Sequence, residues 1–482
     1  MNKTIRHASV FALLLVLALL VRATWVQFHD SEALADDKHN RRNAIEQYAN
    51  PLGDIIVGGE AITGSERTKG GDLAYKRTYK DGDLYSPITG YSSQVYGATQ
   101  LEGIYKDLLD GTDNRLKNPL DTLTKKRADP GNVITTIDPA VQKAGYKALG
   151  DTKGAAVAID PETGRILGMV STPSYDPSRI SGSTDSEAWK ELTTDKEKPM
   201  VNRAMRQPLP PGSTFKLVVA AAALEDGLYG SVDERTSSPN PYTLPGTRTV
   251  LKNENQSAPC ENADIRTALQ YSCNNVFAKM AVDLGQDKVK AMADKMGFDA
   301  DKLDVPVRAS KSVYPSGMDK AQTALSGIGQ FDVTATPLQM SMVSAAIANG
   351  GVLAAPHMVS EISDSGGDTL EKYGDGDSQR VMDESTAEGL ESAMQTVVEK
   401  GTGSNAKISG ATVGGKTGTA QHGENNSQTP YAWFTSFAKG GDGKKVAVAV
   451  MIESSSAARD EVSGNGLAAP IAKAMMSAAL AA

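Results

Sequence analysis

Several kinds of residue that carry protein chemistry are scarce in this sequence. Its 482 residues include five histidines, His7, His29, His39, His357 and His422, and none sits in a metal-ligand spacing such as H-E-x-x-H. No metal and no cofactor is therefore expected. Cysteine occurs twice, at Cys260 and Cys273. In an oxidising compartment such a pair is expected to form a disulfide; two buried thiols are the alternative, since bridging depends on a Cα separation the sequence does not give. Positive charge is not in excess. The net charge is -8, and no basic cluster stands out on a folded segment, which argues against a nucleic-acid partner. No internal repeat is evident. With 40% hydrophobic and 22% charged residues the chain is not disordered, and it is long enough for two or more domains, each with its own core.

The one long apolar run lies at the N-terminus. Lys3 and Arg6 precede residues 10–21, which are uninterrupted by charge, and Arg22, Trp25 and Phe28 follow. With Arg22 snorkelling, residues 8–28 supply about 20 residues, enough to cross a bilayer. The basic end would stay inside and Trp25 and Phe28 would mark the outer interface. Cleavage is the rival, but the A-x-A candidate Ala33-Leu34-Ala35 lies too far past the apolar run for signal peptidase. An uncleaved anchor over residues 1–28, with the rest of the chain outside the cytoplasm, is the expectation.

Residues 29–132 are polar and rich in Gly and Tyr, with short alternating stretches, and read as a small β-rich module. Charge followed by Pro130-Gly131 within residues 125–132 reads as a linker. Beyond it, residues 133–482 show strand patterns at 154–159, 165–171, 414–421, 432–438 and 445–452, with helical stretches at 213–224, 265–271, 275–284, 288–296 and 337–348 between them and a closing amphipathic helix at 467–480. Strands at both ends of a segment with helices between imply an α+β fold, with one antiparallel sheet assembled from distant parts of the chain.

Three short motifs stand out. In residues 211–224, a Pro-Gly turn feeds a helix apolar almost all round, broken only by Ser213 and Lys216. Three residues apart, they share a face of the first turn. A lysine in apolar surroundings tends to lose its proton, and a neutral amine beside a hydroxyl is a base beside a nucleophile. The structural alternative is an N-cap serine and a snorkelling lysine. Ser404-Asn405-Ala406-Lys407 repeats the spacing with no apolar helix behind it and reads as a loop. The second motif, Ser272-Cys273-Asn274, falls between two apolar helical stretches, unlike the matching triplets Ser238-Pro239-Asn240 and Ser463-Gly464-Asn465. The third, Lys416-Thr417-Gly418-Thr419, sits on a strand, where a lysine, two hydroxyls and a glycine-exposed backbone suit a carboxylate and an oxyanion. With a lysine base at hand a Ser-His-Asp triad is unnecessary, and His422 reads as a surface residue.

In this order, the three motifs resemble the transpeptidase domain of the penicillin-binding proteins, whose fold, an antiparallel sheet with helices on both faces, is shared with serine β-lactamases. Residues 171–177 (Ser-Thr-Pro-Ser-Tyr-Asp-Pro), 327–330 (Gly-Ile-Gly-Gln), 336–339 (Thr-Pro-Leu-Gln) and Ala432-Trp433-Phe434 are similar to the same family. Tyr96-Gly97, Leu101-Glu102, Tyr105 and Gly111 are similar to the non-catalytic module of class B members. Size and the pair Cys260/Cys273 look most like the actinobacterial penicillin-binding protein A group. Pro51-Leu52-Gly53 departs from the pattern, since many class B proteins carry arginine before that glycine.

The resemblance implies a peptidoglycan D,D-transpeptidase. Ser213 would be the nucleophile and Lys216 its base. Ser272 would relay a proton to the leaving D-alanine, and Asn274 would orient the substrate amide. Lys416, Thr417 and Thr419 would hold the terminal carboxylate, with Gly418 admitting the backbone, and the N–H groups of Ser213 and Thr419 would form the oxyanion hole. It also implies inhibition by β-lactams and leaves room for a lipid II polymerase partner. D,D-carboxypeptidase and β-lactamase activities use the same residues. A membrane-anchored penicillin sensor or an inactive cell-wall scaffold is the reading of another class.

Overall fold

The computed structural model describes residues 3–30, 41–117, 127–374, 377–423, 427–457, 459 and 462–481. Ala33-Leu34-Ala35, His39 and the first two residues of the expected linker at 125–132 lie outside them.

The strand patterns read from the sequence form one sheet of five antiparallel strands. These are β1 (Lys153–Ile159), β2 (Ile166–Thr172), β3 (Thr412–Ala420), β4 (Tyr431–Lys439) and β5 (Lys445–Ser454), in the order β3-β4-β5-β1-β2. Two hairpins from opposite ends of the segment are thus joined through β5 and β1, where Ala449 faces Val157 and Met451 faces Ala155. These strands are nearly continuous apolar runs because both faces are covered. Val157, Met169, Ala449 and Phe437 point into one core; Ala156, Val170, Val448 and Ala438, one residue away in each strand, point into the other. A side-chain period of two makes that division automatic.

Two helices cover the second core: α1 (Pro139–Leu149) and, at the chain end, α6 (Ala469–Ala481). Asp138 starts α1 by accepting from the N–H groups of Ala140 and Val141, ahead of a proline at the first helical position, where its missing N–H costs nothing. The first core lies under the helical block, chiefly α2 (Lys216–Glu225), α3 (Asn274–Leu284), α4 (Pro337–Ala348) and α5 (Glu384–Lys400). All twelve residues of α4 are buried, as expected of a helix that is apolar all round. The closing helix begins at Ala469 rather than 467, because residues Gly464–Ala468 make a wider turn capped by Ser463.

The N-terminal module contains short helices, Gly82–Thr89, Gln100–Ile104 and Lys106–Leu109, as well as strands. A fully buried ion pair, Arg77 Nε to Glu102 Oε1 at 2.6 Å, ties the strand Tyr75–Tyr79 to the helix Gln100–Ile104. A second five-stranded sheet crosses the expected boundary near residue 132: Ile55–Val57 pairs in parallel with Asn132–Thr135, which pairs on its other side with Val359–Ser363. N-terminal to the module, the helix Lys3–Trp25 is exposed along its whole length, and this stretch through His29 is long and apolar enough to cross a membrane.

One buried side chain joins the module to the larger sheet. Gln142 of α1 is fully buried and treats β2 as an edge strand, accepting from Met169 N–H at 2.8 Å and donating to Met169 C=O at 2.9 Å; the same amide donates to Leu84 C=O, in the module, at 2.9 Å. A side chain that pairs an edge strand closes it to other chains. Gln142→Leu, similar in size but without these bonds, should destabilise the folded chain by about 2–4 kcal/mol, measured by urea or thermal unfolding. A neutral result would mean that water or local repacking replaces the pairing.

Candidate active site

Ser213 stands on a 3-10 turn, Gly212–Phe215, and α2 begins only at Lys216. This differs from the single helix expected over residues 213–224 and improves the alignment, because residues three apart eclipse in a 3-10 turn. The turn is tight: Thr214 Oγ1 donates to Pro211 C=O at 2.8 Å, and Gly212 N–H donates to Gly329 C=O at 3.1 Å. Gly329 has φ +70°, and a Cβ there would lie 2.0 Å from Gly212 O, so glycine alone fits. The apolar helix behind the turn leaves Lys216 with no exposed surface.

Lys216 Nζ donates to Asn274 Oδ1 at 2.8 Å, to Ser272 C=O at 2.8 Å and to Ser272 Oγ at 3.2 Å. From the opposite side Lys416, equally buried, donates to Ser272 Oγ at 3.0 Å and to Thr417 C=O at 2.9 Å. Two lysines therefore converge on one hydroxyl, which has two lone pairs and a single proton. Burial, and then the charge of Lys416, hold the Lys216 amine well below its ordinary pKa, against an opposing pull from Glu254. Burial brings Lys416 down to about 7, with Glu254 again opposing. Among the described residues no hydrogen bond joins Ser213 Oγ to Lys216 in this resting arrangement, in which the amine is held by Ser272 and Asn274.

Ser272 has φ +59°, a left-handed conformation uncommon outside glycine and a recurrent sign of a functional position. Its loop is anchored by a disulfide between Cys260 and Cys273, whose Cα atoms are 5.5 Å apart. The third motif lies on β3 at the edge of the sheet. Gly418 lets this strand pass beside the serine turn, since a Cβ there would come within 2.8 Å of Pro211 O. Thr417 Oγ1 shares a hydrogen bond with Thr402 Oγ1 at 3.0 Å. Thr419 lines a cleft of about 510 Å³ together with Ser213, Asn274, Glu254, Gln330 and Gln421. Gln330, its amide oriented to satisfy both partners, bonds the backbone N–H and C=O of Gln421 at 3.3 Å, steadying the end of β3.

The spacing decoys fall elsewhere. Ser404 and Lys407 are exposed, with Ser404 in a short 3-10 turn rather than a plain loop. His422 is half-buried, stacked on Tyr431 at 3.9 Å. Glu254 and Asn253 carry no motif, and sequence reasoning passed over both. Among the described residues no group of three or more His, Cys, Asp and Glu side chains could hold a metal ion.

A hydroxyl at the head of a buried helix, an amine stripped of solvent on the same turn and a second hydroxyl shared by two lysines make up a centre for serine acyl transfer. The model of the penicillin-binding protein transpeptidase domain matches residues 154–477, and that of the penicillin-binding protein A dimerisation domain matches residues 52–133. The chain belongs to the penicillin-binding protein transpeptidase family. It is 36% identical, over its whole length and 99% of the relative's, to the peptidoglycan D,D-transpeptidase PbpA of Mycolicibacterium smegmatis, and 35% identical over the same shares to that of Mycobacterium tuberculosis. The ceftriaxone acyl-enzyme complex of M. tuberculosis penicillin-binding protein A superposes with a TM-score of 0.83 at 34% identity, covering 90% of this chain and all of that one. The transpeptidase domain from Eggerthella lenta gives a TM-score of 0.75 at 29% identity, covering 90% of this chain and 98% of that one.

Bridging Cys260 to Cys273 closes a loop of 13 residues, for which loop-closure entropy gives about 3 kcal/mol. Exported protein should therefore resist alkylation at both cysteines until reduced, and reduction should lower its unfolding midpoint. Alkylation of both without reductant would remove the bridge from the native protein.

Proposed function

We propose that this chain cross-links peptidoglycan as a membrane-anchored D,D-transpeptidase, working through an acyl-enzyme on Ser213 that β-lactams trap. The observation that carries the reading is the buried pair Ser213 and Lys216 with Ser272 held between two lysines. Ser213 Oγ attacks the carbonyl that links the last two D-alanines of a stem peptide. As the Oγ–C bond forms, the hydroxyl proton passes to the neutral amine of Lys216, a transfer whose hydrogen bond tightens when substrate is bound. The N–H groups of Ser213 and Thr419 stabilise the oxyanion. Collapse of the tetrahedral intermediate breaks the C–N bond, and Ser272 Oγ relays a proton to the departing D-alanine amine. Lys416, Thr417 and Thr419 hold the substrate's terminal carboxylate, and Asn274 orients its amide. The amine of a second stem peptide then attacks the ester, its proton returns to Ser213 by the same relay, and the cross-link is released.

The chain is divided in this reading into an anchor at 1–28, a non-catalytic module at 29–132 and the transpeptidase domain at 133–482, which is joined to the module through the strand Asn132–Thr135. The anchor is a single pass, with everything after it outside the cytoplasm. Its reach keeps the catalytic domain near membrane-borne peptidoglycan precursors, where a lipid II polymerase is the expected partner.

Intact-mass measurement after benzylpenicillin should show one adduct per chain with slow release. Ser213→Ala should abolish the adduct while keeping the fold, since neither the serine turn nor the helix behind it has a side-chain capping bond to lose, and Ser404→Ala should label normally. An adduct on Ser213→Ala would remove the nucleophile assignment, and fast release would make the enzyme a β-lactamase.

The base assignment has its own test. Protonated Lys216 cannot accept the serine proton, so the acylation rate should rise with pH through the lysine's depressed pKa and level off above it. Lys216→Arg keeps the charge without a removable proton and should lose roughly 100-fold or more of the rate. An Arg variant acylating near the wild-type rate would reduce Lys216 to a fixed charge.

A further inference from the structure

The helix α3, which carries Asn274, starts without a cap of its own. Its N-cap residue is Cys273, which makes no side-chain capping bond because its sulfur is committed to Cys260. The first N–H groups of a helix need acceptors from outside the helix, and here they find one in a distant loop. Asn253 Oδ1 accepts from Asn274 N–H at 2.6 Å and from Asn275 N–H at 3.4 Å.

That amide is itself fixed. Asn253 is 5% exposed, and its Nδ2 donates to Asn275 Oδ1 at 3.0 Å and to Asn240 Oδ1 at 3.3 Å. Asn275 Nδ2 in turn donates to Cys260 C=O at 2.8 Å and to Ser238 C=O at 3.1 Å. The triplet Ser238-Pro239-Asn240, which shares the spacing of Ser272-Cys273-Asn274, thus serves as the outer support of the second motif. Next to Asn253, the Lys252 carbonyl accepts from Asn274 Nδ2 at 2.8 Å. A carbonyl can face only the NH₂ side of that amide. Oδ1 of Asn274 must then point the other way, where it receives Lys216 Nζ at 2.8 Å.

We propose that Asn253 is a positioning residue of the active centre: it caps α3 in place of Cys273, and the backbone it fixes turns Asn274 Oδ1 and Ser272 onto Lys216. The inference rests on the acyl-transfer reading of this cleft. Asn253 touches no reacting atom, and its effect passes entirely through Asn274 and Ser272. A misplacement of about 1 Å at such groups costs on the order of 100-fold in rate.

The test is benzylpenicillin acylation of the disulfide-intact full chain in detergent, with the maximal rate constant, the half-saturating concentration and the labelled fraction measured separately. Asn253→Ala should lower the rate constant roughly 10- to 100-fold, with half-saturation unchanged and the folded protein still labelled to completion. Should the alanine variant fail to fold, Asn275→Ala, which removes the partner fixing the Asn253 amide, takes its place with a smaller fall expected. No adduct on wild-type protein would overturn the acyl-transfer reading. With wild type acylated, an alanine variant that keeps the full rate, or loses only labelled fraction, would overturn the role of Asn253.

Discussion

Two lysine amines with no exposed surface approach the hydroxyl of Ser272 to 3.2 and 3.0 Å. Burying one charge without a counter-ion is costly, and burying two of the same sign side by side is more so. The chain relieves that cost by lowering proton affinity, far down for Lys216 and to about 7 for Lys416, while Glu254 at the cleft wall limits the fall. An amine that gives up its proton more readily than a solvated lysine is the chemical result, and it requires the surroundings to stay dry and rigid.

Rigidity comes from both sides of the centre. On one side α2 is packed into the core under the sheet, so that Lys216 is surrounded by apolar side chains and the ring of Phe277 lies 5.6 Å from its Nζ. On the other, β3 is braced by nine consecutive pairings with β4 and by the contact of Gly418 with the serine turn. The Ser272 loop is the strained member, and it is held from three directions: by the disulfide, by Asn253 and by the two lysines themselves. A left-handed serine persists only where its surroundings over-determine it.

The frame also has a division of labour along the chain. The sheet that positions β3 begins at Lys153 and ends at Ser454, so no short stretch of sequence builds the active centre by itself. The N-terminal module is welded to this frame by backbone pairing through residues 132–135 and 359–363 and by the amide of Gln142. Movement of the module relative to the catalytic sheet would therefore have to break buried hydrogen bonds.

Much of this was legible in the chain. The apolar runs of β1 and β5, the all-round apolar helices at 217–223 and 337–348 and the apolar N-terminal run follow from side-chain chemistry and periodicity, which act locally and are written residue by residue. So are the motifs: a serine three residues from a lysine ahead of a buried helix differs from Ser404 and Lys407 by the apolarity behind it, and that difference is visible without coordinates. The 3-10 geometry at Ser213, the left-handed Ser272, the roles of Glu254 and Asn253 and the sharing of a sheet across residue 132 were not. Each depends on groups brought together from far apart in the chain: Asn253 gains meaning only because Cys273 cannot cap its own helix, and Ser238-Pro239-Asn240 only because it lies behind Asn275. The sequence by itself determined which residues could do the chemistry and which segments would be buried, since both are properties of the side chains. Only the tertiary structure decided which hydroxyl the two lysines share and how far their protons are destabilised, because desolvation and charge proximity exist only once distant segments are packed together.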